Sequence, residues 1–102
     1  MPSTLELPLL GLDNGIPDSL FVLFHPGTGK YGCYCHEGVH GLACFSTEAA
    51  AHRFAEWIDL SGMSCLAVTF DEARDIAKDR PLPVVSLMLL DKLNDPTIHY
   101  VR

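Results

Sequence analysis

Three residues in the first half of the chain have the types and spacing of a zinc site. Residues 36–40 read His-Glu-Gly-Val-His, and in a helix His36 and His40 would lie about one turn apart. Two imidazoles at this spacing bind one zinc ion, and the carboxylate of Glu37 would then activate a zinc-bound water for hydrolysis. The segment therefore allows zinc-dependent hydrolysis, provided that it forms a helix.

The pattern resembles the H-E-x-x-H motif of the zinc metallopeptidases but departs from it in two glycines. Gly38 follows the glutamate, where that family normally has a bulky apolar residue, and Gly41 follows the second histidine. Each glycine disfavours a helix by about 1 kcal/mol relative to alanine. The flanking segments, 32–36 and 41–45, have the composition of strands. The sequence therefore favours a hairpin with its turn at residues 37–40, and a zinc-dependent hydrolase remains the alternative.

Three cysteines, Cys33, Cys35 and Cys44, would come together on this hairpin. A turn of four residues would place Cys33 opposite Cys44 and give all three side chains the same face. Cross-strand partners are close enough for a disulfide. Thiols two residues apart on one strand are about 6 to 7 Å apart, however, which is too far for two ligands of one zinc ion. We therefore predict small core thiols that stay reduced, and no metal or other cofactor.

Two segments have the periodicity and the capping residues of helices. The first begins at Ser46, the predicted N-cap, and its apolar residues recur on one face. Those residues are Ala51, Phe54, Ala55 and Ile58. The second helix begins after Thr69, because Thr69 and Glu72 have the spacing of a capping box, and it ends before Pro81.

Short apolar segments between turn signals predict the strands. They span residues 20–24, 31–36, 41–45, 65–68, 84–90 and 98–101. Segment 84–90 shows almost no alternation, which predicts a strand covered on both faces. The order of elements predicts one α+β domain over residues 20–102, with a mixed, mainly antiparallel sheet of five to six strands and two helices on one face. Residues 1–19, which contain several prolines and glycines, are predicted to form an N-terminal arm.

The overall composition argues against several classes of function. The 102 residues include 7 Lys and Arg against 13 Asp and Glu, so that the formal net charge is -6. Binding to nucleic acid or to an anionic membrane requires clustered positive charge, so we expect neither. The N-terminus lacks the features of a secretory signal, and no apolar segment approaches the roughly 20 residues that span a bilayer. We therefore predict a cytoplasmic protein.

The apolar content points to association. Hydrophobic residues make up 48% of the chain, which is more than a small domain needs for its own core. Two helices on one face would leave the other face of the sheet open, and a second subunit is the simplest cover for it. We therefore predict a non-enzymatic domain that acts through a homodimer or through another protein partner.

Overall fold

Seven strands and two helices make up the regular structure of residues 16–58 and 62–102, the part of the chain that the computed structural model describes. The strands are β1 (Ser19–His25), β2 (Lys30–Tyr31), β3 (Cys33–His36), β4 (Val39–Phe45), β5 (Ser64–Thr69), β6 (Val84–Leu89) and β7 (Thr97–Tyr100). The helices are α1 (Glu48–Trp57) and α2 (Phe70–Asp79). The predicted α+β class with a mixed sheet in one domain is confirmed. The strand count is higher than expected because Gly32 divides one predicted strand into β2 and β3.

A single mixed sheet runs from β5 at one edge to β7 at the other. β5 pairs with β1, β1 with β4, β4 with β6, and β6 with β7. The β4–β6 pair is parallel, and the other pairs are antiparallel. β2 pairs with β1 and β3 pairs with β4, so that both lie where β1 and β4 diverge. At this junction the N–H of Gly32 donates to the carbonyl of Leu23, and the carbonyl of Gly32 accepts from the N–H of Ala43.

The two helices pack on opposite faces of the sheet, which corrects the prediction that both lie on one face. The buried residues of α1 are Ala50, Ala51 and Phe54, and those of α2 are Ala73 and Ala77. The two sets belong to separate hydrophobic clusters, one on each face. The apolar pattern of a strand indicates that its faces are covered but does not identify the element that covers each face.

β6 is the strand on which the two-sided packing is clearest. Leu87 and Leu89 pack in the cluster of α2, whereas Met88 and the following Leu90 pack in the cluster of α1. β6 also lies between two other strands. The prediction that this strand is covered on both faces is therefore confirmed. The cover comes from the two helices, so the open face on which the homodimer prediction depended is occupied within one chain.

β3 and β4 form the predicted hairpin, with a shorter turn than predicted. The loop consists of Glu37 and Gly38, whose φ angles are 50° and 84°. Two consecutive residues with positive φ are typical of the type I′ turns that connect strands in tight hairpins. His36 therefore pairs with Val39 rather than with Gly41, which shifts the whole register by two residues.

Threonine residues cap both helices. The predicted capping box is present on α2, where the Thr69 hydroxyl accepts from the N–H of Glu72 at 3.1 Å and the Glu72 carboxylate accepts from the N–H of Thr69 at 2.8 Å. The cap of α1 is Thr47 rather than the predicted Ser46. The N–H and the hydroxyl of Ser46 instead donate to the carboxylate of Asp91, which connects the end of β4 to the end of β6.

The predicted N-terminal arm, residues 1–19, lies mostly outside the described residues. Its last part is described, and there Ile16 is buried in the cluster on the α2 face. β1 begins three residues later, at Ser19. The side chain of Ile16 therefore anchors the chain that leads into β1.

Candidate functional site

The residues of the H-E-x-x-H pattern lie in the β3–β4 hairpin and not in a helix. His36 pairs with Val39, whereas His40 pairs with Cys35. Paired residues of an antiparallel ladder share a face and successive residues of a strand alternate, so the side chains of His36 and His40 lie on opposite faces. His36 Nε2 lies 3.5 Å from a carboxylate oxygen of Glu37. The hairpin therefore separates the two histidines that a zinc-dependent hydrolase would need on one side.

The shorter turn gives Cys33, Cys35 and Cys44 a different arrangement from the predicted one. Cys33 lies opposite Leu42 and not opposite Cys44, which corrects the predicted cross-strand pair. Because successive side chains of a strand alternate between the two faces of the sheet, all three cysteines still lie on the face that α2 covers. Cys33 and Cys35 are exposed at the hairpin, which corrects the prediction that all three are core thiols, whereas Cys44 is fully buried as predicted. The register therefore provides no cross-strand cysteine pair for a disulfide.

Desolvation favours the protonated form of two of these thiols. Burial raises the pKa of Cys44 to about 12, and a backbone hydrogen bond from Met88 only partly opposes this effect. The thiol of Cys33 is partly desolvated although the residue is exposed, which raises its pKa, and the positive charge of Arg80 opposes the shift. The thiolate is the nucleophilic form of cysteine. Burial therefore opposes formation of the nucleophilic thiolate at both side chains.

Three ligand-type side chains that the sequence reasoning missed lie together between α1 and β5. Glu48 and His52 are one turn apart on α1, with 3.7 Å between a carboxylate oxygen and Nε2. Cys65 lies opposite Leu23 in the β5–β1 ladder and packs on the face that α1 covers. One donor atom from each of the three residues lies within 4.8 Å of the other two. The spacing of Glu48 and His52 is visible in the sequence, but the approach of Cys65 depends on the pairing of two strands.

The strand that carries Cys65 forms an edge of the sheet. Among residues 16–58 and 62–102, β5 pairs only with β1, over six residue pairs. Its sequence, Ser-Cys-Leu-Ala-Val-Thr, contains no charged residue and no proline. Leu66 and Ala67 in the middle of the strand are exposed. Proteins commonly protect edge strands with charges or proline, and β5 has neither.

An aromatic group lies at the other end of α1. The ring of Phe54 lies 5.3 Å from that of Phe45, 5.6 Å from that of Tyr34 and 6.0 Å from that of Trp57. Trp57 is 62% exposed and borders a cavity of about 180 Å³. Drug-sized ligands normally occupy roughly 300 to 1,000 Å³, so this cavity does not favour a small-molecule site.

No helix in the described part of the chain has both the length and the apolar character that crossing a bilayer requires. A comparison of the chain with protein-family models, curated proteins and solved structures gives no match.

Proposed function

We propose that this protein is a small cytoplasmic, non-enzymatic domain that acts by forming a homodimer through β5. In the dimer, the β5 strands of two copies pair in antiparallel fashion and join the two sheets. The observation that supports this proposal is the outer edge of β5, which is uncharged and has no partner among the described residues. The proposal rests on this edge and not on an open face of the sheet.

The backbone of an edge strand favours the addition of another strand. The N–H and C=O groups of β5 that point away from β1 would bond to water in a monomer and to a second strand in a dimer. Two identical antiparallel strands are compatible with a two-fold axis, and an axis near the centre of β5 would bring Leu66 beside Leu66 of the second copy. The exposed side chain of Leu66 would then lose contact with water, which adds an apolar contribution to the backbone hydrogen bonds.

Electrostatic repulsion between two copies would be weak at this edge. Two chains of net charge -6 repel each other overall, but β5 itself carries no charge. The nearest acidic residues along the chain after β5, Asp71 and Glu72, lie beyond its Thr69 end. Antiparallel pairing would place that end beside the Ser64 end of the other copy and away from the same acidic residues. We therefore expect the dimer to become tighter as the ionic strength rises, because salt screens the general repulsion.

A charge in the middle of β5 tests the proposal. Leu66→Lys would bring two ammonium groups close together at the two-fold axis, and like charges across a strand pair are destabilising. The aliphatic part of the lysine side chain keeps contact with the sheet, so we expect the single chain to stay folded. The matched control is Tyr100→Lys, which introduces the same charge at an exposed position of β7, the other edge.

Sedimentation equilibrium measures the association state of the wild type, Leu66→Lys and Tyr100→Lys. At tens of micromolar we expect the wild type and Tyr100→Lys to be dimers, and Leu66→Lys to be a monomer with an unchanged circular-dichroism spectrum. A folded wild-type monomer would contradict the homodimer and direct attention to a strand from a different protein. Equal association of all three proteins would contradict the use of β5.

A further inference from the structure

Glu48, His52 and Cys65 present three different donor atoms to one point at the surface. The side chains of Glu48 and His52 are exposed on α1, and Cys65 is half-buried on β5. Two of the three ligands can therefore adjust their torsions, while strand pairing holds the third in place. The point that they surround is accessible from solvent.

These donors suit a divalent transition metal ion. Carboxylate oxygen, imidazole nitrogen and thiolate sulfur are all ligands of zinc, at metal–donor distances of about 2.0 to 2.3 Å. Tetrahedral geometry then requires donor atoms less than about 4 Å apart. The 3.7 Å between Glu48 and His52 already meets this requirement, and the 4.8 Å limit for the whole group is within reach of small side-chain rotations.

The negative carboxylate of Glu48, which lies beside the sulfur of Cys65, also favours a cation at this point. As the metal–sulfur bond forms, the thiol proton would leave to solvent, so that the ion binds a thiolate.

Other ligand-type residues in the described part of the chain do not converge in this way. His36 and His40 lie on opposite faces of the hairpin, and Cys33 and Cys35 are separated by two positions along one strand. We propose that Glu48, His52 and Cys65 form a site for a divalent transition metal ion, of which zinc is the best match, with water at the fourth position. The ion would link the first turns of α1 to the edge strand β5.

Cobalt(II) is the probe for this site, because it accepts the tetrahedral geometry of zinc and its absorption spectrum reports thiolate ligation. The full chain, purified without a histidine tag, reduced and treated with a chelator, is titrated with Co²⁺. We expect a thiolate-to-cobalt charge-transfer band that saturates at one equivalent. Added Zn²⁺ should then displace cobalt and abolish the band.

Single substitutions identify the ligands. We expect Cys65→Ser to remove the charge-transfer band. His52→Ala should weaken Co²⁺ binding by more than about 100-fold, since even the loss of an outer-shell partner typically costs 10- to 100-fold. The matched controls are Cys35→Ser and His36→Ala, which remove the same kinds of group from the hairpin and should leave both the band and the affinity unchanged.

Any of three results would overturn the proposal. They are a charge-transfer band that persists in Cys65→Ser, a band that is lost in Cys35→Ser, and a wild-type chain without saturable Co²⁺ binding. Circular dichroism checks that every variant is folded. Glu48→Gln, which keeps the size of an exposed side chain and removes its charge, provides a second ligand variant if Cys65→Ser unfolds, and we expect it to weaken binding.

Discussion

Leu66 of β5 lies directly opposite Val22 of β1, yet Leu66 is 37% exposed while Val22 is fully buried. Paired residues share a face of the sheet, so the difference comes from their other neighbours. Val22 also pairs with Cys44 of β4, whereas β5 has no second partner strand among the described residues. In the proposed dimer, a second β5 would give Leu66 a neighbour on its open side.

The substitution Gly38→Ala distinguishes a hairpin turn from a zinc-binding helix by the sign of its effect. Gly38 has a φ angle of 84°, and a left-handed conformation costs a residue with a Cβ atom about 1 to 2 kcal/mol. No neighbouring atom would contact the added methyl group, so conformation alone decides the result. We expect the free energy of unfolding to fall by this amount in chemical denaturation followed by Trp57 fluorescence. In a helix it would rise by about 1 kcal/mol.

A second change in the same turn serves as the control with opposite sign. Glu37 also has a positive φ angle, 50°, which asparagine adopts more readily than glutamate. We expect Glu37→Asn to raise the free energy of unfolding. Stabilisation by Gly38→Ala would be incompatible with the turn.

Phe54→Ala tests how α1 faces the sheet. Phe54 is 3% exposed and contacts three aromatic rings. Removing such a side chain leaves a cavity, and we expect a loss of about 3 to 5 kcal/mol in the free energy of unfolding. Arg53→Ala, at an exposed position of the same helix, should change it by less than about 0.5 kcal/mol. Equal denaturation midpoints for Phe54→Ala and Arg53→Ala would rule out this orientation of the helix.

The buried thiol of Cys44 should make stability depend on pH under alkaline conditions. Its pKa is about 12 in the folded chain, against an ordinary value of 9.0. As the pH rises above about 9, the unfolded chain releases this proton while the folded chain retains it, so stability falls by at most about 1.4 kcal/mol per pH unit. Below that pH the thiol is protonated in both states and has no effect.

Urea denaturation at about pH 8 and about pH 10 measures this loss. We expect the wild type to lose more stability than Cys44→Ala over this interval, because the other thiols contribute equally to both proteins. Cys35→Ala, which removes an exposed thiol, should behave like the wild type. Equal losses in the wild type and Cys44→Ala would contradict this account of the buried thiol.

The sequence predicts the elements well where short-range signals define them. The capping box of Thr69 and Glu72 depends on residues three apart, and it is present as expected. The absence of alternation in segment 84–90 correctly indicates a strand covered on both faces. Relations between elements are harder to predict, because they depend on turn geometry and on packing over long distances.

The hairpin register illustrates this difficulty. A positive φ angle is uncommon for a residue other than glycine, so the sequence does not indicate that Glu37 and Gly38 form a two-residue turn. The predicted register was therefore wrong by two positions. Gly41 reads in the sequence only as a residue that disfavours a helix. In the fold, a Cβ atom at Gly41 would come within 2.5 Å of Ser86 Oγ, so the glycine permits the close approach of β4 and β6. The proximity of Cys65 to Glu48 and His52 is likewise a product of strand pairing.

Amide hydrogen exchange of residues 64–69 tests the proposed function most directly. It is measured at protein concentrations well below and well above the dimer dissociation constant. The N–H groups of β5 that point away from β1 should exchange their protons slowly at high protein concentration and rapidly at low protein concentration. Leu66→Lys should show the rapid exchange at both concentrations, because it prevents the pairing. Association that leaves the exchange of residues 64–69 unchanged, or that protects β7 instead, would contradict a dimer built through β5.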